Sequence, residues 1–147
     1  MPMAGLTDSD LMRNFRTVAD PYTRETWVAI PAIRPDWTIL HVHEADEMGN
    51  VRIRGAKYDD ILKAKAADRV LVTCERLVPS TEIAAHPEWT DLPGFLVTAV
   101  VTAPRGAWPH ACDGEYACDE EHMRDYLTAC ASEDAYREFL AERVVAS

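Results

Sequence analysis

Three near-continuous apolar, β-branched runs stand out along the chain: Trp37 to Val42, Val70 to Cys74 and Phe95 to Val101. Runs of this length and content predict strands. Their lack of strict apolar–polar alternation predicts burial on both faces, as in a parallel sheet. Between the first two, Tyr58 to Ala67 predicts a crossover helix, with Ile61, Leu62 and Lys65 at neighbouring angular positions. Pro31 to Cys74 therefore reads as one strand–loop–helix–strand unit, its strands expected over Trp37–His43 and Arg69–Cys74. The loop at its switch, Glu44 to Asn50, holds a cluster of acids ending in Gly49-Asn50. Ligands of open α/β sheets sit where strands end at their carboxyl edge, so this loop is the first place to look for function.

The remaining segments are shorter or more polar. Thr7 is the expected cap of a helix running to about Asn14, with Asp8 and Asp10 in its first turn. Ala19 to Thr26 holds Asp20-Pro21 and reads as a loop, and Trp27 to Ile30 as a short strand stopped by Pro31. Val51 to Arg54 alternates apolar and basic residues like a half-exposed extended segment. Pro79 to Gly94 is punctuated by prolines and reads as an irregular excursion, and Ala103 to Ala117 as a long loop. Two helices are expected at the end. The first spans Asp119–Cys130 and starts on acids. The second spans Ser132–Val144, capped by Ser132 and amphipathic through Tyr136, Phe139 and Leu140. The visible strands are few and greasy on both sides, which implies that another chain completes the sheet or the site.

Size and charge narrow the classes. The chain has 147 residues, 48% hydrophobic and 27% charged, which fits a single globular domain over 1–147 with a real core. A net charge of -10 disfavours nucleic acid as a partner. No apolar run approaches the roughly 20 residues that span a bilayer, and MPMAGLTDSD lacks the regions of a signal peptide. The expectation is a cytoplasmic protein in which Cys74, Cys112, Cys118 and Cys130 are free thiols.

Several residues carry candidate chemistry. Glu44, Asp46, Glu47 and Asn50 can orient a polar acyl group or a partner's carboxylate, and Gly49 permits a positive φ. The same residue types also form plain turns. Glu44 and Asp46 are a possible acid–base pair, set against simple solvation of loop acids. His41 and His43 point to one strand face and are read as one buried and one pocket-lining histidine, with metal ligation the lesser reading. His110, Cys112, Cys118 and His122 supply two Cys and two His, but the Cys–Cys gap departs from a zinc knuckle. Cys74 ends an apolar strand and reads as a small core residue, and Cys112 follows His110 but shows no third group to orient a nucleophile. Arg52, Arg54 and Lys57 form a local basic cluster able to meet phosphates, against a solvated strand edge. No metal site is assigned.

With these residues in place, PAIRPDWTILHVHEADEMGNVRIRG followed by AADRVLVTCERLV resembles the alpha subunit of type I CoA-transferases, the glutaconate CoA-transferase group. GFLVTAVVTAPRGAWPHACDGEYACDEEHMRDYL is similar to the closing segment of the same polypeptide, and the likeness runs in order from Met3 to about Glu142. Within the group the chain looks closest to CoA-thioester hydrolases that open rings in steroid catabolism. The resemblance implies an open, mainly parallel α/β sheet with helices on both faces, incomplete without a partner chain. It implies CoA as co-substrate, no further cofactor, and a partner subunit of beta type. Transferases of the group use a glutamate on the beta side that forms a glutamyl-CoA thioester in ping-pong order. The hydrolase-like relatives use a carboxylate to activate water. Alpha subunits are longer, and what this chain lacks is their N-terminal half. The chain is therefore expected to be a subunit inactive alone, shaping an acyl pocket for an acyl-CoA or carboxylic acid through Glu44, Asp46, Gly49, Asn50, His110 and Cys112. The alternative is a non-catalytic partner-binding module that keeps the fold.

Overall fold

The computed structural model describes residues 2–3, 10 and 14–143. It falls into two compact units, residues 1–35 and 36–147. In the first, β1 (Pro2–Met3), β2 (Arg16–Ala19) and β3 (Thr26–Ala29) form an antiparallel sheet in the order β1-β3-β2. The β2–β3 turn is built on Asp20, whose Oδ1 accepts from the amides of Tyr22 and Thr23 at 2.8 Å. The strand expected over 27–30 is β3, shifted by one residue, while β2 was not expected: RTVA is too short and too exposed to show a pattern. The helix expected from Thr7 falls almost wholly outside the described residues.

The second unit holds the sheet that matters. Its order is β5-β4-β6-β7, with β4 at Trp37–Ala45, β5 at Val51–Arg52, β6 at Arg69–Leu77 and β7 at Ala99–Thr102. β4, β6 and β7 are parallel, with Trp37 opposite Arg69 and Leu71 opposite Ala99, and β5 is antiparallel to the end of β4. The three apolar runs thus lie side by side in one direction, in an open α/β sheet. Helix α1 (Asp60–Ala66) is the crossover between β4 and β6. Its Ala64 joins Leu40, Val42, Val51, Val70, Val72, Cys74 and Leu92 in one core cluster. Small Ala64 at the contact lets the helix approach closely, and Leu62 is left outside.

Three expectations need correction. Pro79–Gly94 is not irregular: it holds α2 (Ser80–Ala85) and a 3-10 turn at Pro87–Trp89. Six residues give less than two helical turns, so only Ile83 is buried and no 3.6-residue period develops. The third strand starts at Ala99 rather than Phe95, because Gly94–Leu96 is a 3-10 turn and Phe95 points outward. Glu44 and Ala45 belong to β4, so the loop proper begins at Asp46. The last two helices match expectation as α3 (Glu120–Ala129), capped by Asp119, and α4 (Glu133–Arg143), entered from Ser132. No helix among the described residues is long and apolar enough to cross a membrane.

Asp46 closes β4 and is fully buried. Burial alone would raise its pKa. Hydrogen bonds from the Asn50 side chain and amide, the Ser80 hydroxyl and the Met48 amide outweigh it and hold the carboxyl below its ordinary value. A group lowered in the folded state stabilises fully above its unfolded pKa of about 4, and that stability is lost as the pH falls through the folded value. Asp46→Ala should cost about 3 kcal/mol at pH 7, because it leaves buried donors unpaired. That difference should shrink below about pH 4, and chemical denaturation of both proteins across pH 2.5–7 measures it.

Candidate functional site

The loop between β4 and β5 is a closed structure. Asp46 Oδ1 accepts from the amides of Met48 (3.0 Å) and Asn50 (2.8 Å), and Oδ2 accepts from Asn50 Nδ2 at 2.9 Å. The Asp46 amide donates to the Asn50 carbonyl, and the Gly49 amide to the Asp46 carbonyl, both at 3.0 Å. Gly49 has φ 85°, which only glycine adopts cheaply. Asn50 Oδ1 then accepts from the Gly94 amide at 2.9 Å, fastening the loop to the Gly94 turn. A methyl on Gly94 would come 2.0 Å from the Met48 carbonyl oxygen, so that approach requires glycine. Asp46 and Asn50 thus spend their polar atoms on the wall they belong to. Glu47 and Met48 are the exposed residues of this loop.

Glu44 lies beneath, buried among arginines. Arg54 Nη2 donates to its Oε1 at 2.8 Å, Arg76 shares the same oxygen, and Arg52 Nη1 lies 3.6 Å from Oε2. Arg52 also donates from Nη2 to the carbonyls of Glu82, Ile83 and His86, satisfying the C-terminal end of α2, and lies over Trp89. Lys57 pairs with Asp91 at 2.5 Å. The basic cluster Arg52–Arg54–Lys57 is therefore neutralised by acids rather than presented to phosphate. It lines a cavity of about 450 Å³ with Glu44, Trp89 and Asp91.

On the opposite sheet face a second polar group forms. His41 and His43 project from β4, and Thr73 and Glu75 from β6. His41 Nε2 lies 2.7 Å from Glu75 Oε1 and Nδ1 lies 2.9 Å from Thr73 Oγ1. Tyr116 donates its hydroxyl to Glu75 Oε1 at 2.7 Å, and the Arg105 amide donates to Oε2 at 2.8 Å. Burial works to raise the Glu75 pKa, but the Arg105 amide, the Tyr116 hydroxyl and His41 prevail and hold it below its usual range. His43 is buried: Nδ1 accepts from the Arg54 amide at 3.1 Å, so Nε2 carries the proton and donates to the Asp113 carbonyl at 2.8 Å. The loop 103–119 covers this group, with Gly106 packed against the His41 ring.

Cys112 is buried with its Sγ 3.5 Å from His43 Nε2. That nitrogen already carries a proton, so His43 cannot act as a base toward the thiol. Burial, Glu75, Glu115 and Asp113 push the thiol up, with Arg54 opposing them weakly. His110 is exposed, and the His122 ring packs between Trp108 and Phe139. His110, Cys112, Cys118 and His122 therefore do not converge on an ion. His41, Glu75 and Cys112 do converge, their ligand atoms within 4.8 Å of one another, but Glu75 already takes three donors. A cavity of about 410 Å³ opens beside them, lined by His41, His43, Arg54, Tyr58, Cys112 and Asp113.

Of the six binding candidates, Asp46, Gly49 and Asn50 act together in the loop, and Glu44 supports it from below. Cys112 sits instead with His43, and His110 faces solvent. Glu75, Tyr116 and Arg76 were missed. Thr73 and Glu75 alternate with the buried Val72 and Cys74, a period-two signal that assigns them to the His41 face.

A profile of the coenzyme A transferase family matches residues 19–103, which takes in the loop 46–50, all of β6 and β7, and Glu75. The chain belongs to this family. It is 36% identical over 131 residues to the alpha-type subunit of the glutaconate CoA-transferase of Acidaminococcus fermentans, covering 88% of this chain and 41% of that protein. It is 30% identical over 153 residues to the cholesterol ring-cleaving hydrolase IpdA subunit of Rhodococcus jostii, covering 96% of this chain and 52% of that protein. The crystal structure of the Acidaminococcus fermentans glutaconate coenzyme A-transferase superposes with a TM-score of 0.87 at 35% identity, over 90% of this chain and 42% of that chain. The chain thus spans about half the length of the curated relatives it matches. The open α/β fold and the likeness to alpha-type subunits agree with the resemblance read from the sequence.

The thiol environments give a direct check. Iodoacetamide at pH 8 should label the exposed Cys118 and Cys130, and should reach the buried Cys74 and Cys112 only in denaturant. Peptide mass spectrometry reads all four. Prompt labelling of Cys112 in the native protein would contradict its placement under the loop.

Proposed function

We propose that this chain is part of an alpha-type subunit of an enzyme acting on acyl-CoA thioesters. It shapes the acyl pocket while a beta-type partner chain supplies the catalytic carboxylate. CoA enters as co-substrate and the reading calls for no other cofactor. The relatives' names span CoA transfer and ring-cleaving hydrolysis. The reaction is CoA transfer between carboxylic acids or hydrolytic ring opening of a cyclic acyl-CoA, carried out in the cytoplasm.

One observation supports the division of labour. The candidate reactive groups in the described site are held by internal partners: Glu44 by arginines, Glu75 by His41, Tyr116 and Arg105, and Asp46 by its own loop. Such groups make rigid walls, and walls hold an acyl group in the attack geometry on which rate depends. Glu47 and Met48, at the exposed tip of the loop, are the residues left to face an acyl chain or the partner.

The test is turnover by the chain assembled with its beta-type partner and the remaining part of the alpha-type polypeptide. Mass spectrometry of the acyl-CoA pool, with and without an added carboxylic acid acceptor, separates transfer from ring opening: transfer makes the acceptor's acyl-CoA and frees the donor acid, and ring opening adds one water to the substrate, which keeps its CoA. Asn50→Ala should lower kcat/KM by about 100-fold, since it frees the wall from Gly94 and lets the acyl group move by about an ångström. An assembled complex that binds no acyl-CoA would overturn the proposal. Full activity in Asp46→Ala and Asn50→Ala complexes would favour the non-catalytic module.

A further inference from the structure

Among the described residues, three side chains from three separate segments bring their ligand atoms together. His41 Nε2 from β4, Glu75 Oε1 from β6 and Cys112 Sγ from the loop 103–119 all lie within 4.8 Å of one another. An imidazole, a carboxylate and a thiolate make a mixed donor set that suits zinc, whereas the hard cations take oxygen ligands. Tetrahedral zinc, with bonds of about 2.0–2.3 Å, holds neighbouring donor atoms about 3.3–3.6 Å apart. His41 and Glu75 stand closer than that, at 2.7 Å, and Cys112 stands no more than 4.8 Å from either. Side-chain rotations cover differences of this size.

Each donor has the neighbour that ligation needs. A metal-bound histidine donates its other ring N–H to a fixed partner. His41 Nδ1 lies 2.9 Å from Thr73 Oγ1. The Thr73 hydroxyl has the Leu40 carbonyl as a second acceptor at 3.4 Å, so it can turn its proton there and accept from Nδ1. The imidazole proton then sits on Nδ1 and leaves Nε2 free to bind. Of its three donors, Glu75 gives up His41 alone. The Arg105 amide keeps Oε2, and the Tyr116 hydroxyl uses one lone pair of Oε1 and leaves the other. Cys112 Sγ lies 3.5 Å from His43 Nε2, whose N–H steadies a thiolate. Burial, Glu75, Glu115 and Asp113 keep this thiol protonated in the metal-free chain. The same acids attract a dication, and a dication displaces the proton.

We propose that His41, Glu75 and Cys112 form a zinc site whose fourth position opens to the cavity of about 410 Å³ that His41 and Cys112 line. On binding, the Cys112 thiol releases its proton to solvent. Sulfur, Nε2 and Oε1 each give an electron pair to the ion, water fills the fourth position, and nothing is oxidised or reduced. The ion joins β4, β6 and the loop 103–119.

The full chain, stripped with a chelator and titrated with cobalt(II) in place of zinc, tests this. About one equivalent should bind, with a near-ultraviolet thiolate-to-cobalt band and the intense visible bands of a four-coordinate ion, and zinc should abolish both. Zinc should also release about one proton per ion from the unsubstituted chain at neutral pH, read with an indicator dye, a measurement that needs no variant. Cys112→Ser should remove the thiolate band and weaken cobalt binding at least about tenfold, while Cys118→Ser and Cys130→Ser should change neither. Thr73→Val keeps the side-chain shape but cannot accept from Nδ1. It should keep the thiolate band and weaken binding by about 10–100-fold. Circular dichroism checks that each variant is folded. A chain that binds no cobalt, a cobalt spectrum without the thiolate band, zinc binding without proton release, or a band that survives Cys112→Ser would each overturn the site. Unchanged affinity in Thr73→Val would overturn the role given to Thr73.

Discussion

A carboxylate buried at the end of an inner strand has no water to satisfy it, so the protein must supply every donor. Asp46 is in that position, and the loop that follows is shaped by its needs. Its two oxygens draw in the amides of Met48 and Asn50 and the Asn50 side chain. Gly49 takes the left-handed conformation this requires. Asn50 then reaches out to the Gly94 amide, and Val51 pairs with Leu92. One charge thereby fixes the return strand β5 and the Gly94 turn that leads into β7. Without those bonds β4 would end in a mobile acidic loop.

The two polar groups of the structure differ in what they hold together. The Glu44 group binds β4 to β5, β6 and, through Arg52, the end of α2. The Glu75 group binds the long loop 103–119 to the sheet face through Arg105 and Tyr116. Each is an acid surrounded by donors, Glu44 buried and Glu75 half-buried, and each ties a segment of irregular backbone to a strand. This is how a small sheet carries long loops without losing their positions.

Much of this was legible in the chain. The three apolar runs announced parallel strands, although the expected burial on both faces is not met in the described residues, where Trp37, Ile39 and Val101 are exposed. Asp46, Gly49 and Asn50 were recognisable as a turn of unusual polarity. Whether they faced a ligand or one another was not legible, since the same atoms serve either purpose and the choice depends on Gly94, 44 residues away. Glu75 and Tyr116 were missed for the same reason: their contact spans 41 residues and leaves no local pattern. Short α2 escaped because a helix of six residues anchors itself with one side chain, and its C-terminal end is satisfied by Arg52 from another element. His110 and Cys112 lie two residues apart on the long loop, yet one is exposed and the other buried against His43, a difference their spacing does not decide.

That the lip of the sheet is a rigid wall, closed on its own carboxylate, is the claim on which the rest stands. Native-state hydrogen exchange of the Asn50 and Gly94 amides reads it directly. The account predicts that both exchange only through large-scale opening, with the same denaturant dependence as the Val42 and Val72 amides in the core strands. Exchange at open-loop rates, unaffected by denaturant, would contradict it.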